Sequence, residues 1–320
     1  MATADRVTLA DLLKRSNQPL ERGIVRAYLE QSPYLNNWPI DTTGALSGKG
    51  RRRATAPAGA GNRLINEAFT SAVTHTEQYQ WGLSIYGTYV DIDTMLLSEP
   101  GGVEEQSEQV SAQTQGLAQQ IANDLINGDE AVNPKAFSGL KSIMSTLPAR
   151  QTIDGAGLDL DSAADRATNG RALLSLIETA IQRVKQGTGQ NPGLILCGDD
   201  MQIILGDVAR ALTGAGWWNT TKDGDRTVTT LFGIPLEPTG FNQAGNQIIA
   251  ADHDGTYTSM YFLRLGQDYC HLKQKAKLMV GKPQLLDDQV TSRIKIEWAL
   301  APFVKNDFAV CRLKGLDITV

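Results

Sequence analysis

Apolar residues recur at helical spacing over 103–127, at Val103, Val110, Leu117, Ile121 and Leu125, with the small Ala112, Ala118 and Ala122 beside them. The spacing predicts one long helix, stopped by Asn127-Gly128. At about 1.5 Å per residue it would run roughly 40 Å. A single narrow stripe opposite a glutamine-rich face describes a helix lying on a sheet. A coiled coil is the structural alternative, against which Gly116 and the short extent of the heptads count. Further on, Leu173, Leu174, Ile177, Ile181 and Val184 predict a second helix over 163–186, ending at Gly187. The run GLILC at 193–197 then reads as a short, fully buried strand. Asp199 and Asp200 are expected to cap a third helix carrying Met201, Ile204, Val208, Ala211 and Leu212, closed by Gly214. Helix, buried strand, helix is an α/β layer.

Elsewhere the pattern is shorter. Leu9, Leu12, Leu13, Ile24, Val25, Tyr28 and Leu29 give two short helices over 8–29, broken near Pro19, which suit an arm that packs on a neighbour. The segment 44–61, GALSGKGRRRATAPAGAG, holds almost no large apolar group and cannot build a core of its own. It reads as a flexible linker or as a long hairpin loop that becomes ordered on an adjacent subunit. Residues 62–73 look extended, and 81–96 reads as a strand entering a short helical turn. Glycine and aspartate at 151–161 mark the start of a second domain. Alternating apolar positions predict strands at 227–238, 248–251, 258–265, 277–280, 294–300 and 309–313.

Composition narrows the class. With 41% hydrophobic and 20% charged residues over 320 positions, the chain can bury a sizeable core and has room for two domains. The apolar runs fall far short of the roughly 20 residues that cross a bilayer, so no membrane span is expected. The N-terminus mixes acids and bases and does not fit a signal peptide, which implies that the protein stays in the cytoplasm where it is made. Cys197, Cys270 and Cys311 are odd in number and widely spaced, and read as buried free thiols. A net charge of -5 lacks the basic footprint of a nucleic-acid-binding domain. Any contact with nucleic acid is therefore expected to be weak.

The stretch 121–147 joins the end of the long helix to a polar turn and a Phe-x-Gly-Leu segment, through Asp124, Asn127, Gly128, Asp129, Asn133, Pro134, Phe137, Gly139 and Leu140. It resembles the major capsid proteins of tailed phages, whose Hong Kong 97-like fold is shared with encapsulins and the herpesvirus capsid floor. Three further segments resemble family elements in the right order: 86–93, where Tyr86 replaces a family glycine, Phe232-Gly233-Ile234-Pro235, and the ending with Phe303, Asn306, Ala309 and 312–316. The resemblance spans roughly 81–316. It implies an α+β fold with an N-terminal arm at 1–38, an extended hairpin loop at 39–75, and a peripheral domain at 76–150 carrying the spine helix. An α/β axial domain at 151–240 follows, and strands at 241–320 return through both domains. The implied function is that of a major capsid protein, self-assembling as hexamers and pentamers into an icosahedral shell around the double-stranded DNA of a tailed phage. Such a protein is assembled in the host cytoplasm and located in the virion. An encapsulin-type compartment is the alternative within the fold. Because no long helical extension precedes the arm, any scaffolding protein is expected to be a separate chain; portal and decoration proteins are possible further partners.

Catalytic residues, metal ligands and cofactors are not expected. Gly198-Asp199-Asp200 after an apolar strand copies a polymerase metal hairpin, and Asp91-x-Asp93 a glycosyltransferase metal site, which together define a metal-dependent α/β transferase as the rival reading. Helical spacing after Asp200 and ordinary capping explain the first, and surface solvation or a cap the second. His75, His253 and His271 are too scattered for a local metal set, and neither a dinucleotide fingerprint nor a phosphate loop is completed. The basic run Lys49, Arg51, Arg52 and Arg53 is the charge feature of interest. As a bland surface it is a solvated loop tip; as a site it would pair with Glu104, Glu105 and Glu108 on the spine helix of the next subunit. Lys49 and Asn306 form the conceivable pair for a covalent cross-link, but a lysine flanked by glycines among arginines looks solvated rather than neutralised.

Overall fold

In the computed structural model of the chain, residues 33–53, 62–69, 76–99, 102–212, 216–223, 226–287 and 290–318 are described. The arm helices expected over 8–29 and the stop expected at Gly214 lie outside them. Chain-order labels are β1 (Ile40–Thr42), β2 (Ser47–Arg53), β3 (Thr76–Gly82), β4 (Ser84–Asp93), α1 (Thr94–Ser98), α2 (Gly102–Asn127) and α3 (Leu140–Thr146). They continue with β5 (Thr152–Asp159), α4 (Ala163–Thr188), β6 (Leu194–Cys197), α5 (Asp199–Ala211), β7 (Trp218–Asp223), β8 (Arg226–Leu231) and β9 (Ile234–Pro238). The last strands are β10 (Thr258–Leu263), β11 (Cys270–Gln274), β12 (Met279–Val280), β13 (Gln284–Leu285), β14 (Thr291–Val304) and β15 (Val310–Asp317).

The first sheet is organised by β14. Along one edge it pairs antiparallel with β4, from Thr291 opposite Asp93 to Leu300 opposite Ser84, and along the other with β11, β12 and β13. Ser292, Ile294, Ile296, Trp298 and Leu300 are buried in strict alternation, which puts one face of β14 in the core. The helix α2 lies against β4 and β14, with Val110, Leu117, Ile121 and Leu125 inward as their spacing requires. Leu125 and Ile126 are fully buried, while Ala112 is exposed.

Two glycines close the turn after α2. A Cβ on Gly128 would lie 2.5 Å from the Phe137 carbonyl oxygen, and one on Gly139 2.4 Å from that of Asp124. Only glycine permits the approach that lets Gly139 N donate to Gly128 O at 2.8 Å. The Asp124 carboxylate is buried and accepts from the Tyr86 hydroxyl at 2.7 Å and from Gln120 Nε2 at 3.0 Å. Tyr86, placed where the resembling segment has glycine, thereby ties β4 to the end of α2 and packs on Phe137 at 5.5 Å.

The second sheet runs β5-β15-β10-β6-β9-β8-β7. The helices α4 and α5 cover one face, packing Leu173, Ile177, Val184, Met201 and Val208 on Ile195, Met260, Phe262 and Leu313. The other face, with Leu194, Leu196, Tyr261 and Leu263, joins the core under α2. Strands β6 and β10 are therefore buried on both sides, which is why LILC and TSMYFL do not alternate with polar residues. Phe232 and Gly233 both have positive φ and make the two-residue turn between β8 and β9.

Several expectations need correction. The second helix passes Gly187 and ends at Thr188, with Gly189 in the left-handed conformation as its cap. Gly187 instead admits a ring: its Cβ would sit 2.0 Å from Phe308 Cβ. The N-cap of α5 is Gly198, so Asp199 and Asp200 occupy its first turn. A Cβ at 198 would meet Ile249 O at 2.2 Å, which excludes a capping side chain there. Residues 151–161, read as the start of a second domain, hold the edge strand β5, parallel to β15. Residues 248–251 form bends and turns, because the Phe241↔Gln247 bridge and the bond from Ile248 N to Gly240 O close a loop there. Residues 62–69 contain no strand; Glu67 N donates to Leu64 O at 3.1 Å around a turn in which Asn66 has φ +69.

Candidate intersubunit surface

Strands β2 and β3 form an antiparallel hairpin, from Ser47 opposite Gly82 to Arg53 opposite Thr76, and among the described residues pair with no other strand. A two-stranded ribbon is marginal in water without a surface to lie on. At its root that surface is the first sheet. The alternating glycines of β2 leave room for the rings of β3: a Cβ on Gly48 would come within 2.6 Å of the Trp81 ring, and one on Gly50 within 3.1 Å of Tyr79. Tyr79 stacks on Phe303 of β14 at 4.9 Å, and the edge of His271 meets the same ring at 4.9 Å. Lys273 Nζ lies 4.3 Å from the Trp81 ring centre and 4.1 Å from that of Phe303. Burial lowers the Lys273 pKa, with Asp41 opposing and Lys305 adding to the shift. Burial likewise lowers His271 to about 4, opposed by Asp41 and reinforced by Lys273 and Lys305.

The cations predicted for this loop are on the hairpin. Lys49 and Arg51 are exposed on β2, opposite Gln80 and Gln78. Arg52 and Arg53 continue the strand, but their side chains, like that of Glu104, lie outside the described residues. Glu105 and Glu108 are exposed on α2, and Glu105 accepts from Gln109 Nε2 at 2.9 Å. Among the described residues no ion pair joins Lys49 or Arg51 to either acid within one subunit.

The feature that pattern reading missed is the middle of the connection. Leu64, Ile65 and Phe69 are 77%, 92% and 68% exposed. Contacts within the turn fix its local shape: Leu64 N donates to Glu67 Oε2 at 3.0 Å, and the Arg63 guanidinium lies over the Phe69 ring at 5.1 Å. The sequence signal was present in RLINEAF, three large apolar residues around an Asn suited to positive φ, within a segment otherwise small and polar.

The carboxylates of the transferase reading are occupied structurally. Arg293 donates to both oxygens of Asp91 at 2.6 Å each, and Asp93 accepts from Met95 N at 2.8 Å as the N-cap of α1. Asp199 accepts from Gly240 N at 3.2 Å, and burial raises its pKa. The chain after Asp200 is helical, where a polymerase hairpin would require a second strand. Cys197, Cys270 and Cys311 are buried, and burial pushes each thiol pKa up. His253 is also lowered by burial, to about 3, with Lys141 and Arg312 adding to the effect; its Nε2 lies 2.9 Å from the Tyr261 hydroxyl. No group of three or more candidate metal ligands occurs among the described residues. Asn306 is buried, and its Oδ1 accepts from Phe308 N at 3.1 Å. A lysine from outside would have to break that cap to reach it.

A long helix across one sheet, a helix-covered second sheet sharing its core, and a protruding hairpin make the Hong Kong 97-like fold of capsid-shell subunits. The structure of the SrpI encapsulin complex from Synechococcus elongatus is similar at 15% identity and TM-score 0.58, over 100% of this chain and 98% of that one. The capsid of the native GTA particle is similar at 15% identity and TM-score 0.57, over 92% and 90%. The capsid of Myoviridae phage XM1 is similar at 14% identity and TM-score 0.54, over 87% and 89%. No protein-family model and no curated protein sequence matches the chain.

Proposed function

We propose that this chain is the major capsid protein of a tailed phage, assembling as hexamers and pentamers into an icosahedral shell around double-stranded DNA. The observation that carries the proposal is a capsid-shell fold whose hairpin, among the described residues, joins neither large sheet, and whose connection holds three large apolar side chains in solvent. Subunits are built in the host cytoplasm and reside in the virion, with scaffolding, portal and decoration proteins as separate partners. Lys49, Arg51, Arg52 and Arg53 pair with Glu104, Glu105 and Glu108 of a neighbouring copy, an exposed contact that salt screens. Replacing Arg51, Arg52 and Arg53 by alanine therefore weakens particles at low salt and makes little difference at high salt.

A second reading, an encapsulin compartment, is favoured by the full-length likeness to an encapsulin structure. Negative-stain imaging of the purified protein, followed by nuclease treatment and extraction of the particles, separates the two. Closed shells protecting DNA support the phage capsid, and shells holding a co-purified protein support the compartment. A protein that stays monomeric at all concentrations refutes both.

A further inference from the structure

We propose that the pocket between α2 and β4 binds a small primary ammonium ion on the carboxylate of Asp124. Such a site belongs to the single subunit and does not depend on shell formation.

The pocket has a volume of about 310 Å³, at the lower end of the roughly 300–1,000 Å³ of small-molecule sites. Asp124 lines it and is only 7% exposed. Its carboxylate accepts from Tyr86 Oη at 2.7 Å, from Gln120 Nε2 at 3.0 Å and from Asn123 Nδ2 at 3.3 Å. These donors are all neutral, and among the described residues no cation pairs with the carboxylate. Buried charges are as a rule paired, because an isolated one carries its full desolvation cost. A carboxylate offers about four acceptor positions, so room for a further donor remains.

The rest of the wall is also rich in acceptors. Gln120 Nε2 donates to Asp124 and Gln243 Nε2 to Gly116 O, which leaves the Oε1 of each side chain without a partner among the described residues. The Thr88 hydroxyl donates to Gln113 Oε1 at 3.4 Å and keeps its own lone pairs. An ammonium group supplies what this set lacks, three N–H donors and a positive charge.

Gly116 points the same way. It stands in the interior of α2, where glycine is less stable than alanine. Packing does not call for it: a Cβ there would meet only Gln243 Nε2, at 3.4 Å. What the glycine provides is space on the pocket wall. Gly128 and Gly139, by contrast, are required by backbone oxygens. At the rim, Lys135 is exposed and makes no ion pair among the described residues. Its like charge opposes an incoming ammonium, so removing it should tighten binding.

Equilibrium dialysis of the purified protein against radiolabelled ethylammonium chloride, at fixed ionic strength, tests this. The wild type should show saturable retention, and tetramethylammonium, which has the charge but no N–H, should not compete. Lys135→Gln should tighten retention several-fold. Gly116→Leu, which keeps a good helix former while filling the pocket, should abolish it. Asp124→Asn should weaken it about tenfold or more. That variant also loosens the tie between β4 and α2; if it fails to fold, Gly116→Leu and Gln243→Ala, whose native side chain is exposed, carry the test, the latter with several-fold weaker retention. Unchanged retention in Gly116→Leu, or competition by tetramethylammonium as strong as by methylammonium, overturns the proposal. Potassium chloride displacing the amine would give the oxygens to a bare metal ion and also overturns it. A wild type that retains nothing does the same, and retention appearing only in Lys135→Gln would make Lys135 the pocket's own cation.

Discussion

Removing the apolar turn, by Leu64→Ala, Ile65→Ala and Phe69→Ala together, should abolish assembly at ordinary concentrations and leave folding untouched. Full burial of a Leu, Ile or Phe side chain is worth roughly 1.5–3 kcal/mol. At 77%, 92% and 68% exposure the three side chains have most of that still to gain. Together they would contribute roughly 4–7 kcal/mol per contact before any opposing cost. Immobilising interface side chains takes roughly 0.5–1.5 kcal/mol each, which leaves about 2–3 kcal/mol net. That corresponds to a rise of roughly 30- to 150-fold in the dissociation constant of each contact. The critical concentration for assembly, followed by light scattering and size-exclusion chromatography, should rise by at least that factor, since every copy in a shell uses the contact. The melting temperature of the unassembled subunit should stay within about a degree, because the side chains add nothing to its core. An unchanged critical concentration, or a subunit that melts much earlier, would refute the reasoning.

Three other outcomes follow from packing and charge. His271 is held near a pKa of about 4 in the folded chain, against about 6.5 when unfolded. The unfolded state therefore binds more protons between those values, so stability is full above pH 6.5 and falls by up to about 3 kcal/mol as pH drops to 4. His253, depressed to about 3, steepens the same trend. Urea denaturation across this pH range should show a shallower slope for His271→Gln than for the wild type, and equal slopes would count against the assignment. Gly187→Ala should destabilise by about 1–2 kcal/mol, because overpacking against Phe308 costs roughly 1–3 kcal/mol and outweighs the roughly 0.5–1 kcal/mol gained by alanine in a helix; a stabilised variant in thermal melts would contradict it. Asp199→Ala with Asp200→Ala should cost about 1 kcal/mol through the lost helix-dipole interaction and leave shell formation intact, and a metal-dependent activity lost with the pair would revive the transferase reading.

Periodicity was enough for the elements whose partners are local or uniform. The stripe at Val110, Leu117, Ile121 and Leu125 determined α2, and the unbroken LILC announced a strand buried on both faces, because a side chain's burial there repeats with the backbone's own period. The glycines at 128 and 139 were legible as punctuation, yet their reason, a carbonyl oxygen within about a methyl's reach, exists only when α2 and α3 are placed together. Tertiary contact also decided against the simplest reading of single residues. Gly187 read as a helix stop until Phe308, more than a hundred positions later, proved to need its missing side chain, and Asp199 read as a cap, whereas the cap position falls one residue earlier on Gly198, where Ile249 O leaves no room for a side chain. The hairpin divides the same way. Its lack of a core was visible in composition, and its charges in the run from Lys49 to Arg53. The exposure of Leu64, Ile65 and Phe69, and the clamp of Trp81, Lys273 and Phe303 at its root, depend on which distant strands meet, and burial is a property of the assembled chain rather than of any window along it.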